Sequence, residues 1–158
     1  MEEAGVKTLD PDNTPDLLGT DYLSEGDLAD LDIRANIIAS KWLFGQIAWF
    51  LEDDDSNLYG YWVGLEKKID LKPIIVSYDT EGQFESLGKI GLGDLLSYIG
   101  SYGEDDRYAE LAVAAQATRL RVDAATIDAY YAIAVDSEID VKKIHNDVYY
   151  SERAKLGN

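Results

Sequence analysis

Asp79 and Glu81, in the run Tyr78-Asp-Thr-Glu-Gly-Gln-Phe84, have the spacing in this chain that best suits acid–base chemistry. A pair of carboxyl groups flanking a sugar supplies the acid and the base or nucleophile of glycoside hydrolysis, with aromatic rings stacked on the substrate. Tyr61 and Trp62 lie on the preceding strand-type run. A carboxylate-based enzyme or carbohydrate-binding protein would therefore need a cleft walled by Tyr61 and Tyr78. The competing arrangement is structural. The first residue of a D-x-E-G turn commonly accepts the turn amides, and the glutamate is solvated.

A second acidic group, Glu52-Asp-Asp-Asp55, invites a test for calcium. Asp53, Asp55 and Asn57 imitate the first three ligand positions of an EF-hand loop. The sixth position, however, is Leu58 where glycine is required, and the twelfth is Gly64 where an acid is required. Nucleophilic chemistry fares no better. The chain has no cysteine, and its one histidine, His145, sits at the edge of an apolar helix face between Val141 and Val148. A helix-edge histidine reads as structural, and no G-x-S-x-G elbow accompanies it. Metal sites built from histidine and cysteine fall for the same reason. Gly88-Lys-Ile-Gly-Leu-Gly-Asp94 has neither the P-loop lysine–hydroxyl pair nor dinucleotide spacing, so its glycines serve a strand-to-helix turn. No catalytic residue, cofactor or metal follows from these patterns.

Charge narrows the choice of partners. Thirty-one acidic against 14 basic side chains give a formal net charge of −17, a field that repels nucleic acid and anionic lipid and attracts cationic partners. No basic, aromatic-interleaved patch suggests nucleic acid. The start, Met1-Glu-Glu-Ala, is acidic where a secretory signal is basic, and apolar runs such as Ile47-Ala-Trp-Phe-Leu51 are too short to span a bilayer. With cysteine absent, the expected place of work is the cytoplasm.

These residues need a scaffold. At 158 residues and 46% hydrophobic content the chain suits one domain, 1–158, able to bury roughly two thirds of its unfolded surface. Residues 1–32 form an acidic, turn-rich lead. Its Asp10-Pro-Asp-Asn-Thr-Pro15 stretch favours turns, and Leu17, Leu18, Tyr22, Leu23, Leu28 and Leu31 suit packing onto the domain. Residues 33–99 form a helix-plus-sheet core. A helix over about 33–43 puts Ile33, Ile37, Ile38, Trp42 and Leu43 on one face and ends at Gly45. Strands follow from Ile47 to Leu51, Leu58 to Val63, Ile74 to Tyr78, and through Phe84 and Leu87. The first two make a hairpin with an acidic tip at 52–57, and Asp79-Thr-Glu-Gly82 is a turn whose glycine takes positive φ. The expected fold class is α+β: a four-stranded or slightly larger antiparallel meander with helices packed on it. A helix with Leu92, Leu95, Leu96 and Ile99 inward closes at Gly100 and Gly103. The helical extension 104–158 holds three more, from Asp105 to about Val122, from Ala124 to Val135 capped by Asp123, and from Asp136 or Ser137 to about Lys155.

Ile47-Ala-Trp-Phe, Asn57-Leu-Tyr-Gly-Tyr-Trp, Pro73-Ile-Ile-Val, Tyr78-Asp-Thr-Glu-Gly-Gln-Phe84 and the helix Gly91-Leu-Gly-Asp-Leu-Leu-Ser-Tyr98 together resemble the SMI1/KNR4 family, the SUKH superfamily. The resemblance covers about residues 37–99. It departs from the family at the L-P-x-x-Y element, for which only Pro15-Asp-Leu-Leu-Gly-Thr-Asp-Tyr22 is available. It implies an α+β fold and non-enzymatic activity. Bacterial members include immunity proteins that bind and neutralise a toxin, often a nuclease. The family has no catalytic set to carry over.

The leading expectation is thus a protein-interaction module that binds a basic toxin domain through acids around aromatic anchors. Its candidate partner-binding residues are Glu52, Asp53, Asp54, Asp55, Tyr59, Tyr61, Asp79 and Glu81. Strand alternation puts Tyr59 and Tyr61 on one side and Trp62, a core residue, on the other.

Overall fold

A computed structural model describes residues 5–9, 21–135 and 137–157. The expectations for Asp10–Pro15, Leu17, Leu18, the L-P-x-x-Y-like segment up to Thr20, and a helix start at Asp136 lie outside the described residues. The chain folds as α+β around a five-stranded antiparallel sheet in the order β1-β2-β3-β4-β5. These strands are β1 Val6–Thr8, β2 Ile47–Asp53, β3 Leu58–Trp62, β4 Ile75–Tyr78 and β5 Phe84–Gly88. The helices are α1 Glu25–Ala29, α2 Leu31–Phe44, α3 Leu92–Ser101, α4 Asp105–Ala117, α5 Ile127–Val135 and α6 Val141–Leu156. No helix among the described residues is long and apolar enough to cross a membrane.

The meander of β2 to β5 matches its sequence pattern. The fifth strand, β1, comes from the lead expected to be turn-rich. It pairs Val6 with Asp53, Lys7 with Glu52 and Thr8 with Leu51. Three residues are too few to display a period, so only the neighbouring edge reveals them as a strand. That pairing also makes Glu52 and Asp53 part of β2, where a connecting loop was expected from Glu52 on.

Helices cover both faces of the sheet, which is why β4 is apolar on both. Ile75 and Val76 are each fully buried yet point to opposite sides. One face packs Ile47, Trp49, Leu58, Val76 and Phe84 against Leu43 of α2 and Val141 of α6. The other packs Leu51, Tyr59, Ile75 and Leu87 against Leu95 of α3, Tyr108 and Ala112 of α4, and Ile127 and Tyr130 of α5. A register shift between Trp49 and Leu51 makes Phe50 an extra residue, so Phe50 and Leu51 both serve the second face. Trp62, half-buried, packs into the first face, opposite Tyr59 and Tyr61.

Helix α2 corrects the sequence reading. Its buried residues are Ala35, Ala39, Ser40 and Leu43, while Ile38 and Trp42 are exposed. Alanines at i and i+4 leave room for α6 to lie against α2, and the isoleucines flank that seam. Asp30 caps α2 by accepting the N–H groups of Asp32 (2.8 Å) and Ile33 (3.2 Å). Boundaries move elsewhere too. α3 runs through Gly100, and Tyr102 ends it at φ 51°. α4 stops at Ala117, short of Val122, because Arg119 turns left-handed at φ 65°. α6 is capped by Asp140, which accepts Lys143 N–H at 2.9 Å.

α5 begins at Ile127, three residues later than expected, because the segment before it is bound elsewhere. Asp94, fully buried near the start of α3, accepts N–H bonds from Gly91 (2.7 Å), Asp123 (2.9 Å) and Ala124 (2.9 Å). The Tyr108 hydroxyl adds a fourth donor at 3.3 Å. A buried carboxylate is tolerated when its lone pairs are filled in this way. Gly93 completes the junction by donating its N–H to the Arg121 carbonyl at 3.0 Å, and a Cβ there would lie 2.8 Å from that oxygen. Asp123, expected as a helix cap, instead pairs with Arg121 at 2.8 Å.

Candidate functional site

The β2–β3 and β4–β5 connections are built on one plan. Asp53 Oδ1 accepts the N–H groups of Asp55 (3.0 Å) and Asn57 (2.9 Å). Asp79 Oδ1 accepts those of Glu81 (3.0 Å) and Gln83 (2.8 Å). In each, the aspartate N–H donates to the carbonyl four residues on at 3.0 Å, and its own carbonyl accepts from the residue three on at 3.0 Å. That third residue is left-handed in both turns, Ser56 at φ 62° and Gly82 at φ 83°. Asp53-Asp-Asp-Ser-Asn57 and Asp79-Thr-Glu-Gly-Gln83 are therefore the same three-residue hairpin loop with a left-handed closing residue. An antiparallel meander places alternate turns at one end of the sheet, so the two lie side by side.

Between these turns and the helices α3 and α5 is a cleft of about 380 Å³. Asp54, Asp55 and Glu85 line it as exposed carboxylates. Among the described residues none of the three has an ion-pair partner. Lys142 of α6 is the one basic residue among those lining the cleft.

Tyrosines furnish the rest of the wall. Tyr59 is buried and donates its hydroxyl to Asp53 Oδ2 at 2.8 Å. Burial, and then that carboxylate, hold its phenol well above the usual range. Tyr130 is 1% exposed and stacks on Tyr98 with centroids 4.5 Å apart and planes within 9°. Burial pushes the Tyr98 phenol up to about 12, with help from the Tyr131 hydroxyl 3.2 Å away. Burial likewise raises Tyr130. These phenols stay neutral in ordinary buffers, so the cleft's negative charge resides on its carboxylates.

The residues singled out from sequence divide into three groups. Asp53, Asp54, Asp55, Tyr59 and Asp79 meet at the cleft. Of these, Asp53 and Asp79 are engaged by turn amides and Tyr59 by burial, while Asp54, whose carboxylate abuts Gly5, and Asp55 are exposed and have no ion-pair partner among the described residues. Glu52, Tyr61 and Glu81 lie outside it. Glu52 pairs with Lys7 at 3.3 Å. Tyr61 stacks on Phe50 at 4.4 Å. Glu81 is exposed and accepts Gln83 Nε2 at 3.0 Å. The cleft walled by Tyr61 and Tyr78 does not form, because Tyr78 packs on the opposite face beside Phe44 and Phe84. Asp79 and Glu81 follow the structural arrangement of a D-x-E-G turn.

Sequence reasoning missed Glu85, Tyr98, Tyr102, Tyr130, Tyr131 and Lys142. The Tyr130-Tyr131 pair in an otherwise aliphatic helix was the available signal, but its neighbours come from tertiary packing. His145 holds its structural role: its Nε2 is 3.0 Å from Ser40 Oγ, linking α6 to α2, and burial lowers its pKa. Among the described residues, no three histidine, cysteine or acidic side chains converge to hold a metal ion. Compared with family models, curated proteins and solved structures, the chain has no match in any of the three.

Proposed function

We propose that this protein is a non-enzymatic interaction module of the immunity type, binding and neutralising a basic toxin domain, such as a nuclease, in the cytoplasm. The observation that carries the reading is the cleft at the twin turns. There Asp54, Asp55 and Glu85 stand exposed beside tyrosine rings, with the turn geometry secured by other carboxylates. Division of labour between structural Asp53 and exposed Asp54 and Asp55 suits recognition, because the exposed pair is held on a fixed turn without an ion-pair partner among the described residues. Aromatic walls with peripheral charge are the composition in which binding hot spots concentrate. The net charge of −17 adds long-range steering toward a cationic protein. The sequence resemblance to SMI1/KNR4 proteins supports the same class.

The test is titration calorimetry with a basic protein recovered by affinity capture on the full chain. A one-to-one complex is expected whose affinity falls steeply with salt. Asp54→Asn, Asp55→Asn and Glu85→Gln together should weaken it about a hundredfold, with unchanged circular dichroism. Unchanged affinity in the triple variant removes the cleft as the partner site.

A further inference from the structure

The Tyr130 hydroxyl is buried without a hydrogen-bond partner among the described residues, in a side chain that lines the cleft. A buried hydroxyl left unpaired is destabilising, so such groups are rare in folded proteins. Its oxygen offers free lone pairs. Tyr98 stacks on the same ring, Tyr131 meets it edge to face, and the carboxylates of Asp54 and Asp55 line the same cleft. Acceptor, π-face and negative charge all favour a cation rich in N–H donors.

The molecule already shows the pairing. Arg107 of α4 lies over the Tyr102 ring, its guanidinium carbon 5.7 Å from the centroid, at the edge of this cleft. A planar guanidinium stacks on a phenol while its edge donates to carboxylates, which an ammonium cannot do as well. A volume of about 380 Å³ admits one such side chain with part of its backbone.

We propose that the cleft is a guanidinium receptor, taking an arginine of the partner between the tyrosine wall and Asp54 and Asp55, with an N–H reaching the Tyr130 oxygen. This rests on the interaction reading above and names the group by which the partner is held. Tyr131, 47% exposed and joined to Tyr98 through hydroxyls 3.2 Å apart, is an accessible ring of that wall next to Tyr130.

The experiment is an NMR titration of the full chain with arginine amide at low salt, with citrulline amide as the uncharged control. Saturable binding on the order of 1 mM is expected for so small a probe. Citrulline amide should bind at least about tenfold more weakly, as should arginine amide to the Asp54→Asn/Asp55→Asn variant. Tyr130→Phe separates function from structure. It should weaken arginine amide about threefold to tenfold while raising Tm by about 2–4 °C, since it deletes an unpaired hydroxyl. Equal binding of the two amides overturns the proposal, as does Tyr130→Phe with unaltered affinity or a lowered Tm. If arginine amide fails to bind while the captured protein still depends on Asp54 and Asp55, the receptor falls and the interaction reading stands. If the amide binds as expected but the captured protein ignores those residues, the interaction reading is the one that falls.

Discussion

The β2–β3 and β4–β5 turns share a hydrogen-bond pattern but not a role. Asp53 spends its second oxygen on Asn57 Nδ2 at 2.9 Å and on the Tyr59 hydroxyl at 2.8 Å, which ties the turn to a buried side chain. Among the described residues Asp79 makes only turn contacts, and Gln83 turns its amide to Glu81 instead. The left-handed position holds serine in the first turn and glycine in the second. One turn is therefore anchored to the core at some backbone cost, and the other is relaxed and independent. The difference shows that one local hydrogen-bond pattern can be tied to the core by a second contact or left to stand alone.

Alkali should break the comparison most completely. Tyr59, Tyr98, Tyr108 and Tyr130 are all raised above the ordinary 10.0, chiefly by burial. A phenol whose folded pKa is raised leaves stability intact below the unfolded value and drains it as pH climbs through the folded one. Thermal melts should hold steady up to about pH 10 and collapse as pH approaches and passes 12, the value for Tyr98. The share of tyrosinate absorbance that comes from these four buried rings should rise together with unfolding rather than before it.

Asp94 sets the ceiling for what a backbone-binding carboxylate contributes here. Asp94→Ala strands the N–H groups of Gly91, Asp123 and Ala124, and about 4 kcal/mol should be lost in urea denaturation. Asp94→Asn should recover little, since an amide nitrogen presents donors to donors.

Asp53→Ala should cost about 3 kcal/mol, because the turn amides and the buried Tyr59 hydroxyl are orphaned together. Asp79→Ala should cost about 1 kcal/mol in the same assay. Equal losses would erase the distinction between anchored and relaxed turns. A cycle with Tyr59→Phe sharpens it: Asp53 and Tyr59 should couple by about 1 kcal/mol, and Asp79 with Tyr59 by nothing measurable.

The smallest effect concerns the left-handed residue. Ser56→Gly should stabilise by about 0.5 kcal/mol, and Gly82→Ser should destabilise by about as much or more. Denaturant midpoints resolve both signs.

The meander was legible because Ile47 to Leu51 and Leu58 to Trp62 alternate, and because Asp79-Thr-Glu-Gly announces its turn. β1 was not, since Val6–Thr8 acquires meaning only from the β2 edge. The α2 core escaped because Ala35 and Ala39, too small to stand out in a hydrophobic pattern, are fully buried while Ile38 and Trp42 are exposed. Asp53 to Asp55 could be read, as they adjoin in sequence, whereas Glu85 reaches the cleft only through the pairing of β4 with β5. The aromatic half of the cleft could not, because Tyr98 and Tyr130 meet only once α3 and α5 have packed.

The clamp at Asp94 bears on the order in which the chain can be completed. Its acceptor site stands at the start of α3, while two of its donors arrive about thirty residues later, at Asp123 and Ala124. A nascent chain that has emerged only as far as Ala117 thus holds a carboxylate that has Gly91 and Tyr108 as donors but lacks the other two. The clamp can therefore close only once Ala124 has been made, which ties the sheet-side end of α3 to the C-terminal third of the chain.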